Sequence, residues 1–71
     1  MNHTETVIVE GREHVLRFSC DWHEDAGTLI SGTIDQFPDV EEFSDSYDFT
    51  KQLLIDTIKA YLEYTRSQDG N

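Results

Sequence analysis

The spacing of apolar residues along the chain changes once, near residue 46, and divides it into a sheet-forming half and a helical half. Residues 4–10 read Thr-Glu-Thr-Val-Ile-Val-Glu, a β-branched run that favours extended backbone. Residues 10–13, Glu-Gly-Arg-Glu, supply a turn in which Gly11 is free to take positive φ. From 14 to 21 the chain alternates, with Val15, Arg17, Ser19 and Asp21 pointing one way and Leu16, Phe18 and Cys20 the other. That pattern predicts a half-buried strand closing a hairpin with the first, and it assigns Cys20 to the buried face. Residues 22–27 read as a polar, acidic loop ending in glycine. Residues 28–34 follow as a third strand, in which Gly32 marks a bulge or a close backbone neighbour.

Residues 35–45 contain the only proline, Pro38, among dense acids, and are expected to cross the sheet edge as a loop. Beyond them Tyr47, Leu54, Ile55, Ile58, Tyr61, Leu62 and Thr65 fall within roughly a third of a helical wheel at ~100° per residue. Ser46 is a natural N-cap, Asp45 and Asp48 sit near the positive end of the helix dipole, and Arg66 sits near the negative end. The predicted helix covers 46–66, with 67–71 a frayed tail. Leu53, Thr57 and Tyr64 form a second stripe, which either widens the core face or offers a surface for self-association. The fold class expected is α+β: a three-stranded antiparallel sheet, β-β-β-α, with one C-terminal helix packed on a face. The meander occupies 4–34 of a single acidic domain over 1–71.

Charge changes this picture more than composition does. The 71 residues carry 15 acids against 5 bases, a formal net charge of −10. No Lys or Arg occurs between Arg17 and Lys51, whereas Asp21, Glu24, Asp25, Asp35, Asp39, Glu41, Glu42, Asp45 and Asp48 all do. So small a domain must keep ionised groups at its surface, which gives it a strongly negative potential. Direct nucleic-acid binding needs a basic stripe, and the five bases are scattered among the acids. The single cysteine excludes an internal disulfide and suits a reducing compartment. No apolar run long enough to span a membrane and no signal-peptide core are present, so a cytoplasmic location is expected.

Catalytic and metal chemistry find little support in the residue pattern. Cys20 and His23 stand three apart, with His3 and His14 as further nitrogen ligands, but paired CxxC or HxxxH spacing for structural zinc is missing. An acidic setting raises a thiol pKa and disfavours Cys20 as a nucleophile. Asp39, Glu41, Glu42, Asp45 and Asp48 offer hard oxygen ligands for calcium, without the loop pattern that orders them. No phosphate-binding glycine loop or serine elbow occurs. A non-enzymatic protein without metal or cofactor is expected.

The stretch 34–48, Ile-Asp-Gln-Phe-Pro-Asp-Val-Glu-Glu-Phe-Ser-Asp-Ser-Tyr-Asp, running into the helix, resembles the HicB-like family of toxin–antitoxin antitoxins. Phe37-Pro38-Asp39-Val40 matches that family's Phe-Pro-Asp-aliphatic segment, Asp45-Ser46 its turn before the long helix, and Tyr61-Leu62 the helix end. The match covers about residues 28–64. It implies a sheet with one helix on a face and a protein that neutralises a partner, commonly a small basic ribonuclease, by binding it. Glu41-Glu42-Phe43 replaces the family's usual Pro-Gly-Cys-like turn, and no sequence remains for a strand after the helix or for a DNA-binding domain.

Taken together, the sequence points to an inhibitor that blocks the basic nucleic-acid-binding surface of a partner protein. The partner would be a nuclease or CRISPR effector subunit, as for a phage anti-CRISPR protein acting as a nucleic-acid mimic. A HicB-like antitoxin core and a self-associating structural module are the alternatives, and homodimerisation is left open. The contact residues expected are Asp21, Trp22, Glu24, Asp25, Asp35, Asp39, Glu41, Glu42, Phe43, Asp45 and Asp48, with Phe37 and Tyr47 as further aromatic contacts.

Overall fold

The computed structural model describes residues 2–25 and 27–69. The first two strands, β1 (Asn2–Val9) and β2 (Arg12–His23), are joined by Glu10 and Gly11 at φ 51° and 78°. Two consecutive positive φ values define a type I′ turn, whose twist matches that of the flanking strands. Next come β3 (Gly27–Ile34), β4 (Phe37–Ser44) and the helix α1 (Tyr47–Asp69). All pairings are antiparallel and the order is β1-β2-β3-β4, a simple meander.

The sheet thus has four strands rather than the three expected. The segment assigned to a crossing loop, 35–45, is a tight turn at Asp35-Gln36 followed by an edge strand. Its strand character is hidden by a bulge. Thr33 pairs with Glu41, yet Ile34 pairs with Phe37, so residues 38–40 lack one-to-one partners and the two-residue alternation breaks there. Pro38 lies in that irregularity on an edge strand, where its missing N–H costs no ladder bond. The acidic loop expected at 22–27 is also shorter, because Trp22 and His23 continue β2 opposite Thr28 and Gly27.

One sheet face is covered by the helix. Val9, Leu16, Phe18 and Ile34 from the strands close on Leu54 and Ile58 from α1. Gly32 permits the approach: a Cβ there would stand 2.7 Å from Leu54 Cδ1. Of the two alternatives raised by that glycine, neither falls at Gly32 itself: its close neighbours are the side chains of Leu54, Thr50 and Phe18 rather than backbone, and the bulge falls in the strand opposite. Thr50 is fully buried, its hydroxyl 3.1 Å from the Ile30 carbonyl oxygen and 2.6 Å from the Ser44 hydroxyl. The helix begins as its sequence dictates, with Ser46 Oγ accepting from the Phe49 amide at 3.3 Å. It runs past the expected end at 66, through Ser67 and Asp69, while Gly70 and Asn71 of the expected tail lie outside the described residues.

Cys20 does not belong to the core. It shares the face of Leu16 and Phe18 but is exposed, because α1 starts above Phe18 and nothing lies over the next position outward. Towards the far end of the helix the expected face also thins out, with Tyr61 42% exposed and Thr65 exposed.

Candidate partner-binding surface

The register sets where the acids go. β1 reaches only as far as Ser19 of β2, and β4 only as far as Ile30 of β3. Among the described residues, the β2–β3 pair continues beyond both as a two-stranded arm carrying Asp21, Trp22 and His23, with Glu24 and Asp25 at its tip. The molecule is accordingly elongated, 50 × 20 × 18 Å. In a meander, the β2–β3 turn and the β4–α1 link emerge at the same end. Asp45 and Asp48 therefore lie at the end from which the arm projects, and Asp35 lies at the other. Asp39, Glu41 and Glu42 line the edge strand between them.

The expected acidic residues are consequently brought into two connected groups, the arm and the β4 edge, with one exception. Asp35 is held by Arg17 through a fork, Nε to Oδ1 at 2.6 Å and a terminal nitrogen to Oδ2 at 2.9 Å. The Arg17 hydrogen bond holds the Asp35 carboxyl below the usual carboxylate range. The other two ion pairs, Lys51–Glu5 and Arg66–Glu10, use acids outside the stretch between Arg17 and Lys51. Among the described residues, the eight remaining acids of that stretch have no basic partner. Asp39, Glu41 and Glu42 lie within ~10 Å of strand, Glu41 on the outer face beside Thr33 and Glu42 on the helix side beside Gly32, so the edge presents negative charge to both faces.

The aromatic residues divide. Trp22 is 70% exposed and Phe43 59% exposed, on opposite faces of the sheet. Phe37 instead stacks on Tyr61 with ring centres 4.6 Å apart, and also against His14. Tyr47 packs on Phe18 and donates its hydroxyl to Glu5, so both expected contacts, Phe37 and Tyr47, serve the fold. The exposed large apolar side chains absent from the expected set include Phe49 in the first turn of α1 and Ile8 on the outer sheet face. Phe49 falls off the helical stripe and Ile8 falls between Val7 and Val9. Either could have been found by asking which apolar residues violate the local period. An open, mainly apolar cleft of about 400 Å³ lies beside the helix start, lined by His3, Phe18, Cys20, Ile30 and Tyr47.

Among the described residues no three His, Cys, Asp or Glu side chains converge as metal ligands, so the five carboxylates between 39 and 48 do not form a cage. No helix is long and apolar enough to cross a membrane. No family model matches the chain, and neither a curated protein nor a solved structure matches it.

Proposed function

We propose that the chain is an inhibitor that occupies the basic nucleic-acid-binding surface of a partner protein. The observation that carries this reading is the separation of charge: among the described residues, three of the five bases are spent on Glu5, Glu10 and Asp35, and the arm, the β4 edge and the helix start keep eight carboxylates without a basic partner. A groove shaped for a polynucleotide supplies the missing cations. Trp22 on the arm and Phe43 on the edge strand give apolar contact beside the charges, the combination in which interface energy concentrates. Long-range attraction would speed encounter and make it salt-dependent.

The test is capture and competition. The immobilised chain is exposed to a bacterial lysate at about 50 mM and about 500 mM salt, between which electrostatic screening tightens several-fold. A basic nucleic-acid enzyme should be retained at low salt, released at high salt, and displaced by added DNA or RNA. The variant Asp39→Lys/Glu41→Lys/Asp45→Lys should bind it at least about tenfold more weakly, which is about 1.4 kcal/mol. Equal retention of the same enzyme by this variant, with its circular dichroism unchanged, would overturn the proposal. Retention of a small ribonuclease alone would support the antitoxin version of the same contact.

A further inference from the structure

The two edges of the sheet differ, and the difference points to a second copy of the chain. β4 carries Pro38, a bulge and the acids Asp39, Glu41 and Glu42, all devices that prevent another strand from adding to it. β1 has none of them. Its eight residues, Asn-His-Thr-Glu-Thr-Val-Ile-Val, include one acid, and Glu5 faces the helix, where Lys51 and Tyr47 bind it.

Hydrogen-bond directions show which backbone groups that edge leaves open. The Val15 carbonyl accepts from the Asp35 amide at 3.0 Å and the Val15 amide donates to Gln36 Oε1 at 3.1 Å. Both polar groups of Val15 therefore point towards β3, and none points towards Thr6, its partner in β1. In an antiparallel ladder this makes Thr6–Val15 a non-hydrogen-bonded pair, so the amide and carbonyl of Thr6 point outward. By alternation, those of Thr4 and Ile8 do the same.

We propose that β1 pairs antiparallel with β1 of a second copy about a two-fold axis at Thr6, giving a continuous eight-stranded sheet. In this register Thr6 faces Thr6, and Thr4 faces Ile8 in both directions, so all the outward groups of these residues find partners. Glu5 faces Val7 rather than its own copy; the two Glu5 side chains become diagonal neighbours about 7–8 Å apart, each already neutralised by its own Lys51. Ile8, 69% exposed in the single chain, gains a β-branched neighbour. Net charge of −10 opposes self-association in general. The β4 edge, however, lies three strand spacings from β1, about 14 Å, which exceeds the ~10 Å Debye length at 0.1 M salt. The two-fold also sends the two arms in opposite directions. Such an interface is self-complementary, as closed two-fold dimers require. It extends the sheet of a small domain in which, among the described residues, six apolar side chains form the buried core.

Light scattering on the intact chain, titrated in concentration at about 150 mM salt, should give a mass rising to twice 8.2 kDa. Thr6→Pro removes an outward amide and no β1–β2 bond, and should leave a monomer with unchanged circular dichroism. A chain that stays monomeric throughout overturns the proposal, as does a folded Thr6→Pro variant that remains dimeric. A cross-link decides the matter should Thr6→Pro not fold. Facing Thr6 positions would have Cα atoms about 5.5 Å apart, within disulfide reach. Thr6→Cys in a Cys20→Ser background should oxidise rapidly to a covalent dimer, and Ser31→Cys in the same background should not. Failure of the Thr6→Cys variant to cross-link faster than Ser31→Cys overturns the proposal.

Discussion

Glu5 sits on the helix side of the sheet, the face that carries Leu16, Phe18 and Ile34, and it is matched there by two donors. Tyr47 donates its hydroxyl and Lys51 its ammonium, the latter at 2.9 Å. The Tyr47 hydrogen bond, then that of Lys51, holds the Glu5 carboxyl below the usual range, and Glu5 pushes Tyr47 up to about 12. The signs follow from linkage. A depressed carboxyl contributes stability that is present above its unfolded value of about 4.3 and is lost as pH falls through the lower folded value. A raised phenol contributes stability that is present below about 10 and is lost as pH climbs towards the folded value. Glu5→Gln should cost about 1–2 kcal/mol near neutrality, in the range of hydrogen bonds to charged groups. It should also flatten both limbs of the stability profile. Urea midpoints measured for both proteins from acid to alkaline pH check this, and curves that run parallel between pH 3 and 6 would remove Glu5 as their cause. Gly32 makes a simpler case. A methyl group there meets Leu54 Cδ1 at 2.7 Å, Thr50 Cγ2 at 3.2 Å and Phe18 Cδ1 at 3.3 Å, and Leu54 and Thr50 are fully buried. Gly32→Ala should destabilise by about 1–3 kcal/mol in chemical denaturation, the cost of overpacking.

At the scale of elements, the β4–α1 junction is the point where local and tertiary structure meet. Ser46 accepts from the Phe49 amide, while its own amide donates to Ser44 Oγ at 3.1 Å. Ser44 in turn lies 2.6 Å from the buried Thr50 hydroxyl. One short link thus caps the helix and ties it to the last strand. Ser46→Ala should lower stability by about 1 kcal/mol, and Ser44→Ala should lower it by at least as much, because it leaves Thr50 with the Ile30 carbonyl alone. Thermal melts of the two variants check the order. This junction also marks how far the sequence could be read. Ser46 and the apolar stripe through Leu54 and Ile58 announced the helix, and the alternation from His14 to Phe18 announced the second strand, because each is a local regularity. β4 was not readable, since its bulge erases the two-residue period and its acids resemble a loop. Cys20 was misplaced because alternation says which face a residue takes, whereas only the helix position says how far that face is covered. The acids of the candidate surface were countable from the start. Their grouping was not, because it depends on where β1 and β4 stop along β2 and β3. Asp35 leaves the group through Arg17, 18 residues away.

Across the whole molecule, charge and stability are set against each other. Among the described residues, eight carboxylates without a basic partner share the arm, the β4 edge and the helix start, and their mutual repulsion acts against the compact state. Nothing in the fold needs Asp39 or Glu41, which are exposed and hold no other side chain, whereas Asp45 favours the helix dipole. A double neutralisation, Asp39→Asn/Glu41→Gln, should therefore raise the melting temperature at low salt. Each charge removed should contribute a few tenths of a kcal/mol, the usual scale for exposed charges. The gain should shrink as salt rises, because at 1 M the Debye length falls to ~3 Å, less than the spacing between neighbouring side chains. The same variant should lose partner capture. Opposite movement of stability and binding in one protein would separate a functional surface from a solubility device, since acids that serve only solubility have no partner to lose. A melting temperature unchanged at every salt concentration would mean that solvent already screens the cluster, and one that falls would mean that these acids stabilise the fold instead. The electrostatic basis of the proposed inhibition would fail in either case.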